Sequence, residues 1–271
     1  MTITSEDELA ALREIGRIVA NTLQVMAKAL EPGMTTQELD EIGKRYLDRE
    51  GAQSAPQTTY DFPGATCISV NEEIAHGIPG TRVIAAGDLV NIDVSASKAG
   101  FFADTGASYR VPPMFPALER PALDKLCRDG HRAMQIGVAQ VAAGKPLAGI
   151  GRAIGKFAEE NGYTLIRNLA SHGVGRALHE APTEIATWPD RREKRILREG
   201  QVITVEPFLS MGGLWADERG DGWTLISRPA APVVQFEHTV VATRNGPLTL
   251  TPPGRGLRST NPERLAQPSE N

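Results

Sequence analysis

From Ser5 onward, apolar residues recur at three- and four-residue spacing: Leu9, Leu12, Ile15, Val19, Leu23, Met26 and Leu30. That is the period of one face of a helix. Ser5 followed by Glu8 has the form of a capping box, and Glu31-Pro32-Gly33 stops the run. A second helix is predicted from Thr36 to about Arg49, with Leu39, Ile42, Tyr46 and Leu47 on one face and Gly51 beyond its end. From Thr66 the pattern shortens to β-like runs at 67–70, 89–94 and 101–111. Pro112, Pro113, Pro116 and Pro121 punctuate the crossing to two further helical stretches, 123–143 and 147–161. Short strands are predicted around 165–166, 201–206, 223–226 and 233–241. From Thr251 the chain is rich in Pro, Gly, Arg and Ser with little to bury, which predicts one domain over 1–250 and a disordered tail over 251–271.

The two halves echo each other. Gly33, Leu39, Tyr46 and Gly51 are matched 111 residues later by Gly144, Ile150, Phe157 and Gly162. Gly87-Asp88-Leu89-Val90-Asn91-Ile92-Asp93 lines up with Gly200-Gln201-Val202-Ile203-Thr204-Val205-Glu206 at an offset of 113. Each segment is a glycine turn, an apolar-rich strand and a carboxylate. Two helix–helix–strand halves of this kind would pack as pseudo-twofold mates, each delivering an acid to their interface. The predicted class is α+β, with helices covering one face of a curved antiparallel sheet.

Those acids sit where a core is expected. Asp93 lies in Val90-Asn91-Ile92-Asp93-Val94 and Asp104 in Phe101-Phe102-Ala103-Asp104-Thr105. A hairpin through Ser97-Lys98-Ala99-Gly100 would bring them together. Glu206 ends one apolar strand and Glu237 lies in another. A single such acid is as readily explained by an Arg or Lys partner or by an edge strand. Four together repel one another strongly, and a hard multivalent cation is the simpler account.

Histidine placement narrows the chemistry. His172 and His179 bracket a glycine-containing loop, and His76 occupies the turn Ala75-His76-Gly77-Ile78-Pro79. His131 falls mid-helix as a surface or packing residue. His238 should point to the face of its strand opposite Glu237. One His with four carboxylates suits Mn(II), Fe(II) or Co(II) better than a thiolate-rich zinc site, and so many acids suit a two-metal clamp.

Composition excludes several classes. There are 29 basic and 33 acidic residues among 271, a net charge of −4, so no global basic field exists to hold nucleic acid. Two cysteines, Cys67 and Cys127, cannot make a disulfide framework. No apolar run approaches the roughly 20 residues of a membrane span. The acidic N-terminal stretch lacks the apolar core of a signal peptide, and the expected compartment is the cytoplasm.

The ordered set Asp93, Asp104, His172, Glu206, Glu237 resembles that of the type I methionine aminopeptidases, metallopeptidases of the pita-bread fold. The motifs that carry the resemblance are Cys-Ile-Ser-Val-Asn at 67–71, His-Gly-Ile-Pro at 76–79, Gly-Asp-Leu-Val-Asn-Ile-Asp-Val at 87–94 and Ala-Asp-Thr at 103–105. Further on come His-Gly-Val-Gly-Arg at 172–176, Leu-His-Glu at 178–180, Thr-Val-Glu-Pro at 204–207, Asp-Gly-Trp-Thr at 221–224 and Glu-His-Thr-Val-Val at 237–241. The similarity runs from about Ser5 to Leu250.

That resemblance implies a set of roles. The five ligands would hold two divalent ions (cobalt, manganese, iron or zinc), with Asp104 and Glu237 bridging. Glu206 would shuttle the proton of a metal-activated water. His179 would hydrogen-bond the scissile carbonyl, and His76 the peptide nitrogen. Phe62, Cys67 and Trp223, with Leu178 and Phe208, would line the methionine pocket. The implied reaction is release of the N-terminal methionine from peptides and nascent chains, with a small second residue preferred, by a monomer working transiently near the ribosome. Four departures touch the pocket wall and loop: Ser171 where glycine is common, Leu169 where an aromatic is common, a one-residue shift after His179, and Thr59 in place of an upstream aromatic unless Tyr60 moves in.

Other readings stay open. The fold also serves X-Pro aminopeptidases and prolidases, but those resemble longer chains with an added N-terminal domain and a longer interval between their loop histidines. Type II methionine aminopeptidases carry a helical insert, for which there is little space here because Glu206 comes only 27 residues after His179. Metal-free binding proteins of this fold should lack ligands that are all present here. The run Arg191-Arg192-Glu193-Lys194-Arg195 reads as a solvated loop face, with ribosome docking as the alternative.

Overall fold

The computed structural model describes residues 1–112 and 120–252. The first half runs α1 (Glu6–Ala29), α2 (Thr36–Arg49), β1 (Gln53–Ser54), α3 (Ala55–Tyr60), β2 (Cys67–Val70), β3 (Glu73–Ala75), β4 (Leu89–Lys98) and β5 (Phe101–Arg110). The second half opens with α4 (Pro121–Val138), α5 (Ala148–Glu160), β6 (Thr164–Leu165), β7 (Ser171–Gly173), β8 (Glu180–Ile185) and β9 (Val202–Val205). It closes with β10 (Phe208–Ser210), β11 (Trp215–Glu218), β12 (Leu225–Arg228), β13 (Val233–Gln235), β14 (His238–Thr243) and β15 (Gly246–Thr249).

Local chemistry sets the helix ends, with differences from expectation. Ser5 Oγ accepts the Glu8 N–H at 3.2 Å, but the Glu8 carboxylate reaches back to the N–H and hydroxyl of Thr4, at 2.7 and 2.8 Å, rather than to Ser5. The reciprocal box belongs to α2, where Thr35 Oγ1 accepts the Glu38 N–H and Glu38 accepts the Thr35 N–H. The helix expected over 123–143 instead starts with Pro121 in its first turn and ends at Val138, and a turn leads on to Gly144 at φ +81°.

α1 covers β4 and β5 around Leu12, Ile15, Ile18, Met26, Val90 and Ile92, and α2 packs on α1 and against β1 and β2. α4 and α5 cover the second half around Leu126, Ile150, Ile154, Ile203, Val205 and Val240. The internal echo therefore corresponds to two helix pairs over two sets of central strands. Gly16 permits the closure of the first layer, because a Cβ there would lie 2.2 Å from the Leu250 carbonyl oxygen.

Among the described residues the strand pairings are all antiparallel and fall into four groups: β1-β4-β2 with β5 on β4, β13-β10-β6, β11-β12-β3, and β15-β14-β9-β7-β8. The β4–β5 hairpin is longer than expected. It pairs from Leu89↔Arg110 to Lys98↔Phe101, and its turn is only Ala99-Gly100, both at positive φ (51° and 78°).

Three expectations are corrected. The strand expected over 223–226 is displaced to β12, leaving Trp223 in the β11–β12 connection. The strand expected over 233–241 breaks at Phe236-Glu237, because the Glu237 N–H leaves its own sheet to donate to the Gly106 carbonyl at 2.9 Å. The tail does not begin at Thr251. That residue is buried, with its hydroxyl 2.9 Å from His238 Nδ1 and accepting the Thr239 N–H at 3.2 Å. The remainder of the expected tail, 253–271, lies outside the described residues. No described helix is long and apolar enough to cross a membrane.

Candidate metal centre and active site

The β4–β5 register sets Asp93 opposite Gly106 and Ser95 opposite Asp104, so the two acids lie diagonally on one face of the hairpin. The second half meets them edge-on. Glu237 donates its N–H to Gly106 and accepts the Thr105 hydroxyl on its carbonyl at 2.9 Å, while Thr239 Oγ1 bonds both the N–H and the carbonyl of Asp104. Glu206 follows directly on β9, one step beyond the Val205↔His238 pair. His172, central in β7, directs Nε2 to within 3.4 Å of Glu206 Oε1 and 3.9 Å of Asp104 Oδ2. Its Nδ1 lies 3.0 Å from the Gly173 carbonyl, the contact that frees Nε2 to act as a lone-pair donor. Ligand atoms of Asp104, His172 and Glu237 all lie within 4.8 Å of one another. Glu206 adjoins this group through His172, and Asp93 is close enough for its charge to act on both Asp104 and Glu206.

The electrostatics of that cluster call for positive charge. Burial pushes Asp93 up to about 6 and Glu206 up to about 8, the latter also raised by the Asp93 charge. Asp104 and Glu237 are driven well above the carboxylate range by burial and then by neighbouring acids. His172 is pushed down to about 3, by burial and by His179. Asp104 Oδ1 and Glu237 Oε1 are buried with no hydrogen-bond partner. Orphaned carboxylate oxygens beside a neutral imidazole fit a divalent cation.

Sequence reasoning missed the residues that hold the ligands in place. Gln235 Nε2 donates to Glu237 Oε2 at 3.0 Å, while its Oε1 accepts from Asn91 Nδ2 at 2.9 Å. Gly106 leaves the room for it, since a Cβ there would lie 2.4 Å from Gln235 Oε1. The Thr204 hydroxyl accepts the His172 N–H at 3.0 Å and donates to Glu206 Oε1 at 2.8 Å. Ser171, one of the departures from the family pattern, accepts the Glu206 N–H at 2.9 Å. Polar residues two positions from a buried acid share its strand face, and that period-two signal in Gln235 and Thr204 was available.

The remaining candidates surround the cluster. His76 sits at φ +52° in the turn after β3, with its side chain accessible to solvent yet ringed by enough neighbouring atoms that desolvation, and then His179, depress its pKa. Gly77 makes that turn possible, because a Cβ would lie 2.2 Å from the Ile68 carbonyl. The His179 ring lies 4.0 Å from that of His172, and its Nδ1 is 2.7 Å from the Tyr60 hydroxyl. Phe62 is buried and meets Trp223 edge-on at 5.2 Å. The Trp223 loop is fixed by Asp221, which accepts the N–H groups of Trp223 and Thr224, and by Glu218, which accepts those of Gly220 and Gly222. Cys67 pairs across from Asp93, and burial and that acid push its thiol well up. Leu178 is buried, and Phe208 packs with Ile74, Ala75, Ile166 and Val233. His131 packs against Phe236, and His238 faces Thr251 rather than the acids, as expected.

Residues 10–244 match the model of metallopeptidase family M24. The chain is 47% identical over 252 residues to methionine aminopeptidase 2 of Bacillus subtilis, covering 93% of this chain and 99% of that protein. This chain belongs to the methionine aminopeptidases of metallopeptidase family M24. Methionine aminopeptidase of Staphylococcus epidermidis is 46% identical, over 93% of this chain and 98% of its own length. The crystal structure of methionine aminopeptidase from Rickettsia prowazekii superposes with a TM-score of 0.86 at 31% identity, covering 93% of this chain and all of that one. Prolidase from Pyrococcus horikoshii, at 22% identity and a TM-score of 0.72, shares the fold over 94% of this chain but only 65% of its own. The α+β pita-bread architecture expected from the motifs is therefore that of an M24 metallo-exopeptidase.

Proposed function

We infer that this M24 enzyme releases the N-terminal methionine of peptides and nascent chains by hydrolysing the first peptide bond, with a small second residue preferred. The observation that carries this is the buried Asp104–His172–Glu237 group, with Glu206 3.4 Å from His172 and the His179 ring 4.0 Å from that of His172. A methionine thioether is soft and polarisable and suits an aromatic wall. Likeness to the methionine aminopeptidases at 46–47% identity supports the same reading.

Asp93, Asp104, His172, Glu206 and Glu237 would hold two divalent ions, cobalt, manganese, iron or zinc, around the buried Asp104–His172–Glu237 group. Bound there, the ions supply Lewis acidity that polarises the scissile carbonyl and lowers the pKa of the attacking water. Glu206, oriented by Thr204 and Ser171, takes the proton of that water and passes it toward the departing amine. His179 donates a hydrogen bond to the carbonyl oxygen as charge develops. His76 contacts the scissile nitrogen. Phe62, Cys67 and Trp223 hold the methionine side chain, with Leu178 and Phe208 behind.

The test is methionine release from a Met-Ala-Ser peptide after chelation, and again after return of Mn(II), Co(II) or Fe(II), beside an Ala-Pro peptide. Metal-dependent release of methionine alone is expected. Cleavage of the Pro peptide instead would move the enzyme to the X-Pro branch of the fold.

A further inference from the structure

Tyr60 is the last residue of α3, and the chain turns immediately after it. Asp61 adopts a left-handed conformation at φ +56°, its N–H donating to the Gln57 carbonyl, and the Phe62 N–H donates to that of Pro56. This closure sends two successive aromatics to different tasks. Phe62 is buried against Trp223, whereas Tyr60 stays 42% exposed and lays its ring 5.7 Å from that of His179. Its hydroxyl stops 2.7 Å from His179 Nδ1, a full-strength hydrogen bond. Tyr60 therefore does not replace the missing pocket aromatic at Thr59.

The consequence lies in the imidazole tautomer. A phenol titrates near 10, so at neutral pH it carries its proton and can donate. A neutral imidazole that accepts on Nδ1 must carry its own proton on Nε2, because one ring nitrogen donates and the other accepts. We propose that Tyr60 is a positioning residue that acts through His179: its hydroxyl donates to Nδ1, fixes the Nε2–H tautomer and sets the ring angle from which Nε2–H meets the scissile carbonyl. This rests on the reading of His179 as the carbonyl's hydrogen-bond donor. Without the tyrosine hydroxyl the proton redistributes between the two nitrogens. A fraction of enzyme molecules then presents a lone pair to the developing oxyanion, which repels it.

The experiment combines nitrogen-15 NMR of histidine-labelled, Zn(II)-loaded protein with steady-state kinetics on Met-Ala-Ser. Tyr60→Phe keeps the ring and removes only the hydroxyl, and His179→Ala assigns the His179 signals by difference. In the parent protein His179 is expected to show an unprotonated Nδ1 and a protonated Nε2. In Tyr60→Phe the two shifts should converge, kcat should fall about 3- to 10-fold as for one lost hydrogen bond, and KM and metal content should hold. In the His179→Ala background, Tyr60→Phe should add nothing further, the coupling that a double-mutant cycle isolates. Unchanged nitrogen shifts and kcat in Tyr60→Phe would overturn the proposal. So would a raised KM at constant kcat, which would place Tyr60 on the substrate instead. Full activity in His179→Ala would overturn the role of His179 itself, a result separable from the first because the nitrogen shifts are read without turnover.

Discussion

Glu206, proposed both as a ligand and as the proton acceptor, has its carboxylate facing His172 and held by Thr204, with Ser171 on its backbone N–H, so a single substitution separates the two proposed roles only in part. Glu206→Gln keeps the shape but removes the proton acceptor and the charge. Turnover should fall by at least about 10²–10⁴-fold, and retained divalent metal, measured by elemental analysis after dialysis, should drop with it. Gln235 donates to the ligand candidate Glu237 and so holds its carboxylate in place. Gln235→Leu should weaken Mn(II) binding about 10- to 100-fold by calorimetry; full affinity would show that Glu237 holds its orientation without this contact. Trp223→Ala removes one wall of the ring pair, and kcat/KM for methionine peptides should fall while metal content stays constant. An unchanged specificity constant would take Trp223 out of the pocket.

At the scale of elements, small chemistry decides which motifs carry weight. The reciprocal Thr35–Glu38 box should make Thr35→Ala cost about 1 kcal/mol in urea unfolding. In α1, Gly16→Ala gains helix propensity but drives its Cβ into the Leu250 carbonyl. The overpacking should win, lowering stability by about 1–3 kcal/mol. The helix periodicities and the Ala99-Gly100 turn region could be read from sequence, because they depend on residues near one another in the chain. The break at Phe236-Glu237 could not, since it is caused by a hydrogen bond to Gly106, far away in sequence. The displacement of β12 has the same origin: Leu225 and Ile226 pair with Ala75 and Glu73 of β3.

For the whole molecule, the four acids tie stability to pH and to metal. Unfolded, Asp93 and Glu206 titrate near 3.8 and 4.5; in the fold they are pushed up to about 6 and about 8. The folded protein therefore binds more protons than the unfolded chain across that interval. Their contribution is fully present below about pH 4 and is lost as pH rises toward 8. Divalent cations favour the ionised acids and reverse the sign. The Tm increment from added Mn(II) should accordingly grow between pH 5 and pH 8, measured by calorimetry at fixed metal concentration. A constant increment would mean that cation binding displaces no protons from these acids.

The amino-acid order alone determined the chemical inventory: acids placed inside apolar strands, histidines in glycine-flanked turns, a repeated helix–helix–strand unit and the motifs of one family. Those properties follow from residue type and from periods of 2 and 3.6, which every local stretch carries in full. Only the tertiary structure decided how the inventory is joined. It set Gln235 and Asn91 behind Glu237, turned Tyr60 onto His179 rather than into the pocket, and folded Thr251 back against His238 and Thr239. Apart from the Gln235–Glu237 bond, which spans two residues, these contacts join groups 12 to 144 residues apart in sequence. A hydrogen bond of that kind is fixed by where two packed elements meet, which no local pattern contains.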